Sequence, residues 1–265
     1  MKIVIIGAGN MGGAIARCLA LVPEYQVWVT NPTQEKLDAL TIELPLIHVT
    51  TDNLFAAADA DIIILAVKPH VVPGVLAGLK FHIDYDRQKI VSIAVGVSLD
   101  ALDTMLYRGG SEKLPELFYA SPDTAINVKQ GMTFIASRRA SRKGEEEVVK
   151  LFSNLGDTAL IDELQMPAAI ALSSCGIAYA YKYVQACAQA GVQLGFRPED
   201  ALKYSVATVE GAMAMLRHNK TLPQQEIDKI TAPGGLTIKG INELEHTGFT
   251  SSVIRAILEP LRHRD

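Results

Sequence analysis

Cysteine is scarce in this sequence, whose 265 residues contain only Cys18, Cys175 and Cys187. A small and odd number of cysteines argues against a disulfide framework and is typical of proteins in a reducing compartment. We interpret the three thiols as core residues rather than nucleophiles, because free cysteine usually behaves as a small apolar side chain.

Long hydrophobic runs are also missing. No apolar stretch approaches the roughly 18 residues that a membrane-spanning helix needs. The run at residues 3–6 is too short for a secretory signal. Together with the cysteine content, this predicts a soluble protein of the cytoplasm that has no membrane partner.

Neither sign of charge is in excess: Lys and Arg number 25 against 29 Asp and Glu, which gives a net charge of −4. The sequence therefore has no basic footprint for nucleic acid. Hydrophobic residues make up 49% of the chain, which excludes disorder and allows one large domain or two smaller ones. No metal site is predicted, because the histidines follow no ligand spacing; they are His48, His70, His82, His218, His246 and His263.

Strand-like and helix-like segments alternate through the first 162 residues. Several strand candidates are unbroken β-branched runs, which fit strands covered on both faces in parallel α/β sheets. We expect strands at 2–6, 26–30, 46–49, 61–67, 89–95, 115–120, 131–136 and 158–161, and helices at 12–20, 34–40, 54–58, 72–79 and 99–105. This alternation predicts an α/β fold with a Rossmann-type, doubly wound, mostly parallel sheet.

The pattern changes after about residue 162. From there on we find no strand signal, but three long helical segments at about 164–191, 198–217 and 236–262. Residues 177–190 are apolar on almost every side, which predicts a helix that is buried all round or packed against another subunit. We therefore expect a sheet domain over residues 1–162 and an all-α domain over residues 163–265.

The first loop of the sheet domain carries a dinucleotide-binding motif. Gly7, Gly9 and Gly12 form a GxGxxG pattern that directly follows a strand and opens a helix, the context that the motif requires. Gly7 would allow the tight turn, Gly9 would let the backbone approach the pyrophosphate, and Gly12 would let helix pack on strand. The amides at the helix start, at Asn10 and Met11, would face the phosphates.

The end of the second strand predicts the cofactor preference. NAD-specific enzymes usually carry Asp or Glu there to hold the ribose 2′-hydroxyl. This chain has Asn31 instead, and Thr33 and Lys36 are placed to contact a 2′-phosphate. Because no carboxylate would repel that phosphate, the sequence favours NADPH over NADH.

Two further strand ends supply cofactor-binding candidates, since ligands of such sheets bind at their carboxyl edge. The fourth strand runs into Ala66, Val67, Lys68 and Pro69, which brings Lys68 to that edge. Small residues around Ala94, at the end of the fifth strand, would allow a nicotinamide ring to lie close.

A second glycine-rich motif stands in the helical half. Gly234 and Gly235 precede a helix that begins with Leu236 and Thr237. Consecutive free amides at a helix start can bind an anion, and a first-turn hydroxyl can face the same ligand. Taken alone, the motif fits both a ligand loop and an ordinary Gly-Gly turn.

Together these motifs resemble the Δ1-pyrroline-5-carboxylate reductase family over nearly the whole chain. The motif at 7–12 is similar to the family's GxGxMG, and residues 66–70 read AVKPH as in the family. Asn53 matches an asparagine that contacts the cofactor in the family. Residues 188–195 are similar to the family's xDAGVxxG stretch, and residues 232–237 resemble its SPGGTT substrate loop.

The chain also departs from the family's patterns. Tyr119 and Asp123 stand where the family has the Arg and the Asn of Arg-x-Met-Pro-Asn-Thr. Residues 173–179 differ from its SGSGPAY segment, and Ala232 and Leu236 replace a Ser and a Thr of the substrate loop. These changes concern the expected substrate and nicotinamide region.

The resemblance implies an NAD(P)H-dependent oxidoreductase that reduces a cyclic imine to L-proline in proline biosynthesis. It implies that the substrate carboxylate binds the amides around Gly234, Gly235, Leu236 and Thr237. The Thr237 hydroxyl would bind the ring nitrogen, which makes Thr237 the catalytic candidate. Because the protonated imine is already reactive, its orientation against the nicotinamide would supply most of the catalysis. The family's active sites lie between the sheet domain and a partner's helices, which implies a homodimer or a larger assembly of dimers.

Three alternatives remain open. A paralogous NADP-dependent imine reductase with an altered substrate would share all these motifs. A β-hydroxyacid dehydrogenase shares the first motif, but its GxGxxxK pattern, with Asn one turn later, is not met by Gly176, Lys182 and Ala186. A non-catalytic, dinucleotide-binding regulatory protein would explain the changes at Tyr119 and Asp123.

Overall fold

The computed structural model describes residues 1–110 and 113–262, and the chain divides into two compact units, Met1–Ile170 and Ala171–Asp265. This division falls a few residues beyond residue 162, where the sequence predicts a domain boundary. The predicted boundary stays a prediction.

An eight-stranded sheet forms the centre of the first unit. Its strands are β1 (Lys2–Ile6), β2 (Gln26–Thr30), β3 (His48–Thr50), β4 (Ile62–Leu65), β5 (Lys89–Ser92), β6 (Leu117–Pro122), β7 (Gly131–Arg138) and β8 (Gly156–Leu160). The strand order is β3-β2-β1-β4-β5-β6-β7-β8. Among the described strands, all neighbours pair in parallel except β6 and β7. The first six strands have the 3-2-1-4-5-6 order of the Rossmann fold, which confirms the predicted fold class.

Two apolar layers, one on each face of the sheet, form the core of this unit. Along β1, Ile3 and Ile5 pack into one layer and Val4 into the other, and all three are fully buried. One layer takes α1 (Asn10–Leu19), α2 (Gln34–Glu43) and α6 (Arg142–Ser153); the other takes α3 (Asn53–Ala57), α4 (Val72–Leu79) and α5 (Leu99–Leu106). Since side chains of a strand alternate between faces, a sheet covered on both faces needs an unbroken apolar strand.

Helix α6 is an element that the sequence analysis missed. Its first half is highly charged, whereas its second half buries Val148, Leu151 and Phe152 against the sheet. Its start has a sequence signal in Ser141, because serine is a preferred N-cap residue. In the structure the Ser141 hydroxyl accepts a hydrogen bond from the Gly144 amide at 3.0 Å.

Every regular element described in the second unit is helical. After α7 (Met166–Leu172), which spans the division, come α8 (Gly176–Gln193), α9 (Pro198–Asn219), α10 (Pro223–Ile230), α11 (Leu236–His246) and α12 (Phe249–Leu258). Helix α9 matches its prediction closely, but the other two predicted helices are interrupted. A break after Leu172 separates α7 from α8, and Gly248 separates α11 from α12 with a left-handed φ of +80°. Glycine adopts this conformation at little cost and commonly ends helices.

Candidate active site

The glycine turn after β1 has the geometry that dinucleotide-binding motifs require. Gly7 has a φ of +116°, and a Cβ there would lie 2.4 Å from the carbonyl oxygen of Ala66. A Cβ on Gly12 would lie 1.9 Å from the carbonyl oxygen of Gly7, so α1 packs directly on the turn. By contrast, a Cβ on Gly9 would meet no described atom within 4 Å. Gly7 and Gly12 are therefore needed for the turn itself, whereas the space above Gly9 is open to a ligand.

The N-terminus of α1 is available to an anion. Gly9 is its N-cap, and within the described residues neither a side-chain cap nor an acidic first-turn residue competes for the amides. Asn10 and Met11 begin the helix, and their N–H groups have no acceptor within it. The partial positive charge at such a helix end favours a phosphate group.

Asn31 connects the glycine turn to the chain that leaves β2. The residue is only 9% exposed. Its Oδ1 accepts a hydrogen bond from the backbone N–H of Ala8, and its Nδ2 donates to the carbonyl oxygen of Thr33, each at 3.3 Å. The side chains of Thr33 and Lys36 are exposed beyond it. Asn31 therefore has a structural role in the turn, and Thr33 and Lys36 belong to the exposed stretch at residues 32–36, which also contains Glu35.

Asn53, the first residue of α3, is held by a residue that the sequence analysis did not single out. Thr30, fully buried at the end of β2, donates a hydrogen bond from its hydroxyl to Asn53 Oδ1 at 2.6 Å. Asn53 also borders a cavity of about 400 Å³, whose other lining residues are Thr51, Asp52, Leu54, Gly74, Val75, Gly78 and Leu79. The only signal for Thr30 in the sequence was a polar residue after three apolar ones.

The carboxyl ends of the central strands lie side by side. Ile6 at the end of β1 is opposite Thr30 of β2 and Leu65 of β4, and Leu65 is in turn opposite Ser92 of β5. The loops that follow these four strands therefore open at one edge of the sheet. This register brings the predicted residues after β1, β2, β4 and β5 together.

The predicted residues after β4 and β5 are placed at that edge. The backbone N–H of Ala66 donates to the carbonyl oxygen of Ile6 at 2.9 Å, which fixes the start of the β4 loop beside the glycine turn. Val67 is half-buried, whereas Lys68 and Pro69 are exposed. Ala94 after β5 is almost completely buried.

The two departures in the β6 region have structural explanations. Tyr119 is buried, and its hydroxyl accepts a hydrogen bond from the backbone N–H of Gly96 at 3.4 Å, which connects β6 to the β5 loop. Asp123 Oδ1 accepts from the N–H of Ala125 at 2.9 Å, and its Oδ2 accepts from the N–H of Met132 at 3.1 Å. A carboxylate can accept with both oxygens, whereas an asparagine has only one.

The glycine-rich loop of the second unit forms a second open helix start. Gly234 has a φ of +70°, and the N–H of Gly235 donates to the carbonyl oxygen of Ala232 at 2.9 Å. Gly235 is the N-cap of α11, which has no side-chain cap and no acidic residue in its first turn among the described residues. Leu236 and Thr237 are exposed, and the structure records no partner for the Thr237 hydroxyl within the described ranges.

The cysteines and histidines form no further site in the part of the chain that the structure describes. Cys18 is buried; its Sγ donates to the carbonyl oxygen of Ile126 at 3.2 Å, and burial raises the pKa of its thiol, as expected of a core residue. Cys175 and Cys187 are partly buried. In residues 1–110 and 113–262, no three His, Cys, Asp or Glu side chains come together in a way that could hold a metal ion. The prediction on His263 lies outside these residues.

None of the described helices has the length and apolar character that crossing a bilayer requires.

Two family profiles match the chain, one in each half. Residues 163–264 match the profile described as pyrroline-5-carboxylate reductase dimerisation. Residues 2–96 match the profile of coenzyme F420-dependent NADP oxidoreductases. The chain is thus similar to a dinucleotide-binding oxidoreductase in its first half and to a dimerisation domain in its second.

Relatives and solved structures extend this similarity over the whole length. A pyrroline-5-carboxylate reductase of Dictyostelium discoideum is 34% identical, over 97% of this chain and 90% of the relative. The solved structure of the Coxiella burnetii enzyme is 28% identical and superposes with a TM-score of 0.89, over 97% of this chain and 95% of that chain. The Plasmodium falciparum pyrroline carboxylate reductase, solved with NADP bound, is 26% identical with a TM-score of 0.84, over 98% of this chain and 95% of that chain. The chain belongs to the pyrroline-5-carboxylate reductase family.

Proposed function

We propose that the protein reduces Δ1-pyrroline-5-carboxylate to L-proline with a hydride from NADPH. The observation that carries this proposal is its similarity to pyrroline-5-carboxylate reductases over 97% of the chain. The open helix starts of α1 and α11 add the two anion sites that the reaction needs, one for a pyrophosphate and one for a carboxylate.

The dinucleotide is proposed to bind at the carboxyl edge of the sheet. The open space above Gly9 fits a pyrophosphate, which a Cβ there would displace. Bound in this way, the nicotinamide would supply the hydride for the C=N carbon. The proposed cofactor-binding residues are Gly7, Gly9, Asn10, Met11, Gly12, Asn31, Thr33, Asn53, Ala66, Val67, Lys68, Pro69 and Ala94.

A preference for NADPH over NADH is part of the proposal. Asn31 places no carboxylate at the end of β2, and its side chain is engaged with the backbone of Ala8 and Thr33. The exposed stretch that follows carries the hydroxyl of Thr33 and the ammonium group of Lys36, together with the carboxylate of Glu35. A 2′-phosphate would gain a hydrogen-bond donor and a positive charge there, whereas a 2′-hydroxyl would gain little from the charge.

The substrate is proposed to bind at the start of α11. Its carboxylate would bind at Gly234, Gly235, Leu236 and Thr237, where the helix dipole favours negative charge. The N–H of Gly235 is engaged with Ala232, so the donors would be the free first-turn amides of Leu236 and Thr237. The protonated ring nitrogen would donate a hydrogen bond to the hydroxyl oxygen of Thr237, which is exposed and available. These contacts fix the orientation of the imine carbon, and orientation is the main contribution that this chain makes to the rate.

The second unit is proposed to pair with a second copy of this chain. Among its described hydrophobic residues only Ala171 and Ala201 are buried, and α8 contains no buried residue at all. Helices α8 and α9 border an apolar groove of about 520 Å³, lined by Tyr181, Val184, Gln185, Ala188, Gln189, Val192, Pro198, Leu202 and Val206. The match of this region to a dimerisation profile supports a homodimer, alone or within a larger assembly.

The cytoplasm stays the predicted location and rests on the cysteine content.

The alternatives lose support in specific residues. Lys182, the candidate catalytic lysine of a β-hydroxyacid dehydrogenase, is exposed and donates to Gln185 Oε1 at 3.0 Å. The changes at Tyr119 and Asp123, which favoured a regulatory protein, are explained by their hydrogen bonds to the backbone. An imine reductase with an altered substrate is the alternative that a direct assay must test.

The test measures NADPH oxidation with three substrates at equal concentration: Δ1-pyrroline-5-carboxylate, a cyclic imine without the carboxylate, and a 3-keto acid. We expect rapid oxidation with the first alone, because only it has both the imine and the anion for α11. Faster turnover of the uncarboxylated imine would favour the altered imine reductase. Turnover of the keto acid alone would favour a β-hydroxyacid dehydrogenase, and NADPH binding without any turnover would favour a regulatory protein.

A further inference from the structure

The hydroxyl of Thr30 is a buried polar group whose partner belongs to the proposed cofactor site. Thr30 is 0% exposed, and its hydroxyl donates to Asn53 Oδ1 at 2.6 Å. A buried hydroxyl proton needs an acceptor, because an unpaired polar group in the protein interior is costly. Asn53 Oδ1 is the acceptor that the structure provides, so the carbonyl end of the Asn53 amide faces Thr30.

This bond determines which end of the Asn53 amide a ligand meets. The two ends of an asparagine amide have similar shapes, so only the hydrogen-bond network decides its orientation. With Oδ1 held by Thr30, the NH₂ group at Nδ2 points away from it, and no partner for Nδ2 is recorded among residues 1–110 and 113–262. Asn53 is half-buried on the wall of the cavity beside α3 and α4.

We propose that Thr30 is a positioning residue for dinucleotide binding: it never touches the cofactor, but it orients Asn53 so that the amide donates to an oxygen acceptor of the ligand. This inference rests on the proposed function. It makes this part of the site a donor, which suits the hydroxyl and phosphate oxygens of a dinucleotide.

The backbone of Thr30 has a separate contact that does not depend on its side chain. Its carbonyl oxygen accepts the N–H of Gly7 at 2.8 Å, and the residue stays in the β2 ladder opposite Ile6. Removal of the hydroxyl therefore leaves the glycine turn attached to β2. The effect of a side-chain substitution passes through Asn53.

Two substitutions separate positioning from packing. Thr30→Val keeps the volume of the buried side chain and removes the hydroxyl, whereas Thr30→Ser keeps the hydroxyl and removes a buried methyl group. We expect Thr30→Val to raise the Kd for NADPH about three- to tenfold, the range of one net hydrogen bond, with a melting temperature near wild type. Thr30→Ser should keep a Kd near wild type and melt earlier, because it leaves a small cavity in the core.

Binding is measured by NADPH fluorescence titration, so the result does not depend on turnover. Thr133→Val is the matched control, since Thr133 is a buried threonine of β7, which lies towards the opposite end of the same sheet from β2. The Kd of this control protein for NADPH should equal that of wild type. In steady-state assays Thr30→Val should raise the KM for NADPH and leave kcat unchanged. In the Asn53→Ala background, Thr30→Val should add nothing, because its partner is gone.

Equal Kd values for wild type and Thr30→Val would overturn the inference. So would a Thr30→Ser protein that loses as much NADPH affinity as Thr30→Val. A third contradicting result would be that Thr30→Val weakens NADPH binding as much in the Asn53→Ala background as in the wild-type background. Any of these results leaves the proposed function intact, provided that the wild-type protein binds NADPH. If the wild-type protein binds neither NADPH nor NADH, the proposed function fails and this inference fails with it.

Discussion

The two units of this chain differ sharply in how many apolar side chains they bury. In the first unit, a sheet covered on both faces buries whole strands, and β4 is fully buried along its length from Ile62 to Leu65. In the second, the buried hydrophobic residues among those described are only Ala171 and Ala201. Burial of apolar surface is the main favourable term in folding. The first unit therefore has its own core, whereas the second buries little apolar surface by itself, which is why we propose that a second copy covers it.

This difference also separates the two halves of the proposed chemistry. The proposed cofactor residues are placed by strand ends of the first unit, in a register that the sheet fixes. The proposed substrate loop at 232–237 leads into α11, which has no buried residue among those described. We therefore expect dinucleotide binding to survive loss of assembly, whereas catalysis depends on it.

Gly9→Val should have the largest effect on the first unit. Its side chain would fill the space above the glycine turn, which no described atom occupies within 4 Å of an added Cβ. NADPH binding should fall below detection in a fluorescence titration, while circular dichroism and the oligomeric state stay as in wild type. Undiminished NADPH affinity would show that this loop does not contact the cofactor.

Leu202→Asp should disrupt the proposed dimer of the second unit while NADPH binding by the first unit is kept. Leu202 lies in the α8–α9 groove, and a carboxylate there would be buried without a partner when a second copy covers it. Light scattering should show monomers, reductase activity should be lost, and NADPH should still bind. Lys203→Glu, at an exposed neighbour outside the groove lining, is the control and should stay dimeric. A dimeric and active Leu202→Asp protein would show that another surface mediates assembly.

Thr237→Ala tests the substrate loop without disturbing assembly. Loss of a hydrogen bond to a charged partner, about 1.5–3 kcal/mol, should lower kcat/KM for the imine by tens-fold or more. NADPH affinity and the dimer should not change, because the hydroxyl is exposed and has no recorded partner among the described residues. Thr237→Ser, which keeps the hydroxyl, should retain much more activity. Wild-type kinetics for the alanine variant would show that the Pro-Gly-Gly segment is an ordinary turn with no role in substrate binding.

Asn31→Asp should have the smallest effect and acts on cofactor choice. A carboxylate near a 2′-phosphate adds a like-charge repulsion of about 1–2 kcal/mol, so the ratio of kcat/KM for NADPH to that for NADH should fall. In the wild-type protein Asn31 Nδ2 donates to the Thr33 carbonyl oxygen, and the variant replaces this donor by a carboxylate oxygen. This loss should weaken the binding of NADPH and of NADH equally. Asn31→Ala removes both hydrogen bonds without adding charge and should leave the ratio unchanged. A constant ratio in Asn31→Asp would show that Asn31 does not discriminate.

Local sequence patterns were sufficient for much of the first unit. The apolar runs of β1 and β4 and the spacing of Gly7, Gly9 and Gly12 predicted a Rossmann-type sheet with its glycine turn, because each signal lies within a few residues of its structural consequence. The periodicity of the second half predicts three long helices. It did not show the breaks after Leu172 and at Gly248, since a single turn conformation hardly changes a long apolar pattern.

The sequence by itself determined the fold class, the family motifs and most of the element types of this protein, because hydrophobic periodicity and glycine spacing act locally. Only the tertiary structure decided which polar groups meet across the sheet. Thr30 and Asn53 are 23 residues apart in the chain, as are Asn31 and Ala8. Their contacts exist because parallel strands end in register and bring distant loops to one edge. No local pattern records that register, so it is the packing of the sheet that turns scattered side chains into a candidate site.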